Sequence, residues 1–344
     1  MIVLAGDVGG TNARLAIVEL EERTARFVHQ NRYPSGAFEG LAPIVRRFCE
    51  ETGSRPDHAC FGIACPVVGD DCTAPNLPWT INARALAAEI GIPRTAIIND
   101  FVAVGYGIEL LTPADLATLQ QGAPEPRGPI ALIGAGTGLG EAFLVWQGDH
   151  YQVLASEGGH GDFAPGGEAQ TGLLRSLRER FGRVSWERLL SGPGIANIYR
   201  YLLESGAAPE QPSVRAEIEA EDDATVIVRH ALDRNDTLSA RTLELFWEVL
   251  GAQAGNLALS IVATGGVYMA GGIAPRIAAR LDSGPFLAAF RNKGRLAPLL
   301  SRIPVHVIMN PSVGLLGAAA VAGRMGAEAW SLSLAQGDAP LGST

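Results

Sequence analysis

Lysine is nearly absent from this chain: Lys293, between Asn292 and Gly294, is the only one in 344 residues. A Walker A loop needs its lysine between glycine and Ser or Thr, so P-loop chemistry is excluded. Protein-kinase chemistry fails too, because the strand lysine and the His-Arg-Asp loop are missing. Cysteine is scarce as well. Cys49, Cys60, Cys65 and Cys72 form no C-x-x-C pair, and no export context accompanies them, so no disulfide is expected. Zinc is not expected either: Cys60 and Cys65 fall on what reads as one strand, five apart, where their side chains point to opposite faces.

Charge is sparse and acidic. With 18% charged residues and a formal net charge of −9, the surface lacks the basic character that non-specific nucleic-acid binding or attachment to anionic lipid requires. No nucleic-acid or membrane partner is therefore expected. The uncharged stretch from Gly255 to Pro275 approaches membrane-span length, but Gly265-Gly266 and Gly271-Gly272 break it. It reads as a buried helix followed by a buried strand. The N-terminus reaches Asp7 before an export-signal core could form, which predicts a cytoplasmic protein. What is plentiful is apolar and small: 47% hydrophobic residues and 42 glycines describe a compact globular chain. Its length suits two lobes of about 100 to 200 residues each, with a cleft between them.

Glycine is concentrated in two turns of similar context. Ile2 to Asp7 reads as a strand, Gly9-Gly10 as a turn, and Ala13 to Val18 as the returning strand. Ile130 to Gly134, the turn around Gly136-Thr137-Gly138, and Glu141 to Trp146 repeat the pattern. Placing Ile130 on Ile2 also superposes Leu132 on Leu4, Gly134 on Gly6 and Gly138 on Gly10, as a duplicated α/β lobe would. Further strands are expected at Phe61–Pro66, Ala96–Asn99, Val267–Ala270 and Val305–Ile308. Helical spacing appears at Leu41–Glu51, Asn82–Ile90, Thr171–Phe181, Gly194–Glu204, Asp222–Leu232 and Ser239–Leu259, from about Ala274, and from Val313 to about Met325. The proline-rich run Pro124 to Pro129 reads as a joint.

Bare glycine backbone lets N–H groups close on phosphate oxygens that a Cβ would hold away. Either turn alone could be merely a tight turn; two of them, with the hydroxyls of Thr11 and Thr137, point to phosphate binding. The cluster Gly134, Gly136, Gly138, Gly140 imitates a dinucleotide fingerprint. Leu139 or Glu141 stands where its third glycine belongs, however, and a strand rather than a helix follows. Asp7, just before the first turn, is placed either to hold Mg²⁺ through water or to cap the turn. Asp100, in Ala96-Ile97-Ile98-Asn99-Asp100-Phe101, is a carboxylate at the end of an apolar strand, where it can take a hydroxyl proton. Together these features suggest phosphoryl transfer.

In sequence order, these motifs resemble those of the bacterial glucokinases, within the hexokinase, actin and Hsp70 fold superfamily, over about Ile2 to Met325. Gly6, Asp7, Val8, Gly9, Gly10, Thr11 and Asn12 match the first phosphate loop of that family, and Gly136, Thr137 and Gly138 its second. Gly271 and Gly272 match its adenosine motif. Asn76 in Asn76-Leu77-Pro78-Trp79, Asn99, Asp100, Glu157 and His160 in Glu157-Gly158-Gly159-His160, and Glu187 match its sugar site. A site rich in carboxylate and amide groups suits a neutral, hydroxyl-studded hexose. His160 as a satisfied core histidine and Glu187 as a solvated helix carboxylate are the plain alternatives. Gly161 to Pro165 contain no cysteine, which aligns the chain with the branch lacking a zinc motif.

The resemblance implies a two-lobed α/β fold of the ribonuclease H-like (actin-like ATPase/hexokinase) type. A small domain would span 1–110 plus about 305–325 and a large one 111–304, with a mobile tail at 331–344. It implies ATP-dependent phosphorylation of the 6-hydroxyl of D-glucose with Asp100 as base, Mg²⁺ through Asp7, closure of the lobes over the sugar, and a homodimer. Another hexose, or polyphosphate as donor, stays open as an alternative. A non-catalytic sugar-binding protein would leave Asp100 and both turns unexplained. A sugar-sensing repressor would need a DNA-binding module, for which the first strand at Ile2 is expected to leave no room.

Overall fold

A computed structural model describes residues 1–21, 24–74, 77–233, 235–278 and 283–325. It divides into two compact units, Met1–Thr112 joined by the chain from Asn310, and Pro113–Met309.

In the first unit, β1 (Ile2–Val8) and β2 (Asn12–Glu21) form the expected hairpin, followed by β3 (Thr24–Pro34), α1 (Leu41–Thr52) and β4 (His58–Ile63). Three short strands, β5 (Val67–Val68), β6 (Asp71–Thr73) and β7 (Thr80–Asn82), make a small separate sheet. Next come α2 (Ala83–Ile90), β8 (Arg94–Asn99) and α3 (Asp100–Gly107). The main sheet has the order β3-β2-β1-β4-β8, with β1, β4 and β8 parallel. The near-continuous apolar runs of β1 and β4 follow from that central placement, covered on both faces. Leu4, Leu15, Phe48, Phe61 and Trp79 lie in its core.

The second unit runs through β9 (Leu116–Gln120), β10 (Ile130–Ala135), β11 (Leu139–Gln147), β12 (His150–Ser156), α4 (Glu168–Phe181), α5 (Gly192–Glu204) and α6 (Pro212–Ala220). It continues with α7 (Asp223–Leu232), α8 (Thr237–Ile261), β13 (Gly266–Ala270), α9 (Ala274–Ala278), α10 (Gly284–Arg291), α11 (Ala297–Arg302) and β14 (Val305–Ile308). Its sheet order is β12-β11-β10-β13-β14-β9. Strand for strand this repeats the first sheet, with β9 added antiparallel at the edge. The last paired residues are Val8 and Ala13 in the first hairpin and Ala135 and Leu139 in the second, so the second turn is one residue shorter and the sequence superposition of Gly10 on Gly138 does not carry through it. The chain then rejoins the first unit as α12 (Val313–Arg324).

Two expectations need correction. Val305–Ile308 was assigned to the first lobe, but β14 pairs in parallel with β13 in the second sheet, so the return comes at Asn310. Cys65 and Cys72 are disulfide-bonded, with Cα atoms 6.1 Å apart. The strand carrying Cys60 ends at Ile63, and the β5–β6 hairpin then folds Cys72 back beside Cys65. The Gly255–Pro275 run resolves into the end of α8 and then β13. Among the described residues, no helix is long and apolar enough to cross a membrane.

Candidate active site

Parallel strands deliver side chains to their carboxyl ends, the usual ligand-binding edge of an α/β sheet. In the first unit, Val8, Ile63 and Asn99 lie in one row across β1, β4 and β8, so Asp7 and Asp100 both fall at that edge. Between them, a Cβ on Gly62 would stand 2.8 Å from the Ala103 Cβ and 3.5 Å from the Asp100 Cα, so glycine there lets α3 sit close on the sheet. Asn99 is the N-cap of α3. Its Oδ1 accepts from the backbone N–H of Phe101 (2.9 Å) and Val102 (3.1 Å), and its Nδ2 donates to the Cys65 carbonyl (3.1 Å). That leaves Asn99 one amide hydrogen for a ligand.

Asp100 is half-buried, and its Oδ1 accepts from the Phe101 N–H at 2.9 Å. Burial raises its pKa above the ordinary carboxylate value. The Phe101 N–H opposes that shift, and the negative charge of Asp7 adds to it. Asp7 itself pairs with Arg14, which faces it across the hairpin: the Arg14 Nε and Nη2 both donate to Asp7 Oδ2, while Nη1 reaches the Pro311 carbonyl at 2.8 Å. Among the described residues Oδ1 of Asp7 accepts no side-chain hydrogen bond, so the carboxylate can accept from a water on a metal ion. Gly314, at the start of α12, places its own missing Cβ 3.6 Å from Asp7 Oδ2. The turn after Asp7 is closed by Gly9 N–H donating to the Asn12 carbonyl at 2.9 Å, and Gly9 and Gly10 remain partly open to solvent, with Thr11 exposed.

In the second unit, the turn Gly136-Thr137-Gly138 is closed by Gly136 N–H donating to the Gly138 carbonyl at 2.9 Å. The N-terminus of α5 sits against it: the Gly192 N–H donates to the Gly136 carbonyl at 2.8 Å, and Ser191 caps the helix through Gly194 N–H at 3.1 Å. A helix N-terminus beside a glycine turn strengthens a place for phosphate. Gly271, with φ +85°, packs against the end of β10, where the Ile273 N–H reaches the Ala135 carbonyl at 3.3 Å. The second phosphate turn and Gly271-Gly272 are thus neighbours.

Glu157, His160 and Glu187 converge. His160 Nε2 lies 3.9 Å from Glu157 Oε2, and its Nδ1 3.9 Å from Glu187 Oε1. The His160 side chain is 60% exposed, which removes the core-histidine alternative. Glu187 is not a freely solvated carboxylate either, because its Oε2 accepts from the Leu139 N–H at 2.9 Å at the end of the glycine turn. Backbone bonds lock the two loops together: Phe163 N–H to the Val184 carbonyl and Trp186 N–H to the Gly161 carbonyl, both 3.0 Å. Asn76 lies outside the described residues. Sequence reasoning missed Arg14, Gly62 and the Gly192 helix start. Only Arg14 had a readable signal, since a four-residue turn between Val8 and Ala13 puts it opposite Asp7.

The glucokinase family model matches residues 4–325. A glucokinase from Nostoc punctiforme is 44% identical over 339 residues, covering 94% of this chain and 99% of that protein. One from Yersinia pestis is 39% identical over 317 residues, covering 92% and 95% respectively. The crystal structure of a glucokinase from an Antarctic psychrotroph superposes with a TM-score of 0.84 at 30% identity, covering 94% of this chain and 99% of that one. The likeness is of sequence and of fold together, and it spans both units. The chain belongs to the glucokinase family, the ATP-dependent kinases that phosphorylate glucose.

Proposed function

We propose that Asp100 is the general base of glucose phosphorylation. It takes the proton of the 6-hydroxyl as that oxygen attacks the γ-phosphorus of ATP, the bond from phosphorus to the bridging oxygen of ADP breaks, and glucose 6-phosphate and ADP result. The backbone N–H groups of Gly9-Gly10-Thr11 and Gly136-Thr137-Gly138 hold phosphate oxygens, and Gly271-Gly272 lie along the adenosine. Mg²⁺, held through water by Asp7, would neutralise charge on the phosphates. Asn76, Asn99, Glu157, His160 and Glu187 bind the sugar hydroxyls. A homodimer in the cytoplasm completes the proposal.

The observation that carries it is the half-buried carboxylate of Asp100 at a strand end, its proton affinity raised by burial and by Asp7. A base so placed is more basic than a free aspartate. The acid limb of kcat/KM for glucose is therefore expected to fall above the free-aspartate value of about 3.9. A coupled ADP-release assay across pH checks it, and an acid limb at or below the free value would count against Asp100.

Gly138→Ala tests the coupling between phosphate turn and sugar site. The new Cβ would stand 2.5 Å from Glu187 Oε2 and push that carboxylate off the Leu139 N–H. With a charge-assisted hydrogen bond worth about 1.5–3 kcal/mol lost, the KM for glucose should rise by about tenfold or more. Gly136→Ala, whose Cβ would meet nothing within 4 Å of protein, is the comparison. An unchanged glucose KM in Gly138→Ala would remove Glu187 from the sugar site.

A further inference from the structure

The only lysine of the chain is used by none of the chemistry above. Lys293 follows α10, half-buried, in the wall of a cavity of about 770 Å³ between α8, α10 and the start of α4. That volume lies within the ~300–1,000 Å³ of small-molecule sites. Lys293 Nζ donates to the Ala252 carbonyl (3.0 Å) and to Asn256 Oδ1 (2.7 Å), which leaves its third N–H free. Arg291 lines the same cavity, its Nε donating to Gln120 Oε1 at 2.6 Å. Neither cation is in an ion pair among the described residues, in a protein of net charge −9. Two half-buried cations against one carboxylate, Glu248, leave the wall with a net positive charge, which favours an anion in the space they face.

The rest of the wall is of another kind. Gln170, 3% exposed, donates from Nε2 to Glu248 Oε1 at 2.9 Å, leaving Glu248 Oε2 as an acceptor in the wall two turns of α8 before Asn256. Trp186 and several alanines supply apolar surface. The Glu248 carboxylate, with the amide hydrogens left on Gln170 and Asn256 once their oxygens accept from the Gly166 N–H and from Lys293, suits hydroxyl groups on a ring, and the Glu248 charge disfavours a ligand with a second anionic group at that end.

We propose that this cavity is a regulatory site for a hexose monophosphate, with the phosphate against Arg291 and Lys293 and the sugar hydroxyls against Gln170, Glu248 and Asn256. Its occupant would touch Trp186, the residue before Glu187, whose carboxylate is tied to the Leu139 N–H at the second glycine turn. Occupancy therefore bears on the apparent affinity for glucose. The reaction product is one member of this ligand class, but the site and its test do not depend on turnover.

Because the chain has one ε-amine, acylation by N-hydroxysuccinimidyl acetate followed by peptide mass spectrometry reads Lys293 alone, with the chain's α-amine as internal reference. Burial lowers the Lys293 pKa, which favours the reactive neutral amine. At saturating glucose, fructose 6-phosphate or glucose 6-phosphate at about ten times its Kd should slow Lys293 acylation about tenfold and leave the α-amine rate unchanged. Arg291→Ala should retain the unliganded acylation rate and lose the protection, and in the wild type the same hexose phosphate should shift the KM for glucose. Absence of protection overturns the proposal. Equal protection by inorganic phosphate overturns the hexose assignment, and protection that follows protein concentration rather than ligand overturns it in favour of a subunit contact.

Discussion

Asp100→Asn is expected to lower turnover by about 10²–10⁴ while leaving glucose binding largely intact, the usual worth of a general base removed without loss of shape. Asparagine keeps an Oδ1 that can accept from the Phe101 N–H, so the local bond at the start of α3 survives. Stability separates catalysis from a merely structural role. The Asp100 pKa is raised in the folded protein, chiefly by burial, so its contribution to stability is fully present below the unfolded value and is lost as pH rises through the folded one. Once ionised, the carboxylate is therefore a liability to the fold. Asp100→Asn should melt no lower than the wild type at pH 7, with any advantage fading as the pH falls toward 4. Thermal melts at the two pH values, beside kcat, decide the matter. Full turnover in the variant, or a Tm several degrees lower at pH 7, would assign Asp100 to architecture and not to proton transfer.

How far the sequence reveals this arrangement depends on whether local chemistry or distant packing dictates each part. Both hairpins were legible because glycine turns flanked by apolar runs have few alternatives, and Ile130–Ala135 repeats the role of Ile2–Val8 in sheets of matching order. The carboxylate at the end of β8 was legible for the same reason, as the first polar residues after an apolar strand. The helix that follows was not. Asp100–Gly107 contains two glycines and two valines, which disfavour an isolated helix. It is held by α12 at near-contact distance, where a Cβ on Gly107 would run into the Val313 backbone and one on Gly317 into the Ala103 carbonyl. Residues more than 200 positions apart thus decide its conformation. The return point of the chain was misplaced for a related reason: Val305–Ile308 is apolar enough for either sheet, and only its parallel pairing with β13 assigns it. The Cys65–Cys72 bond was hidden by a strand expected to continue to Pro66, when pairing with β8 stops at Ile63.

Gly271→Ala should be the most damaging single-methyl substitution in the nucleotide half of the site. Gly271 has φ +85°, a region that side-chain-bearing residues enter at a cost of about 1–2 kcal/mol. A methyl there would also run into the Ala135 carbonyl and stand 2.9 Å from its carbon, and neither atom can rotate aside because Ala135 is the last residue of a central strand. Relief has to come from moving Gly271-Gly272-Ile273 away from β10, breaking the Ile273 N–H to Ala135 bond and shifting the ground beside Gly136-Thr137-Gly138. A displacement costing about 3 kcal/mol corresponds to roughly a hundredfold loss in kcat/KM for ATP. The melting temperature should fall by several degrees as well. The neighbouring position provides the contrast, since a Cβ on Gly272 would meet no protein atom within 4 Å. Gly272→Ala should therefore fold like the wild type, and any rise in its KM for ATP reports crowding of the nucleotide itself. Glucose affinity measured without nucleotide should change little in either variant. If Gly271→Ala keeps both its melting temperature and its kcat/KM for ATP within twofold of wild type, the close approach of that turn to β10 is not what positions the nucleotide.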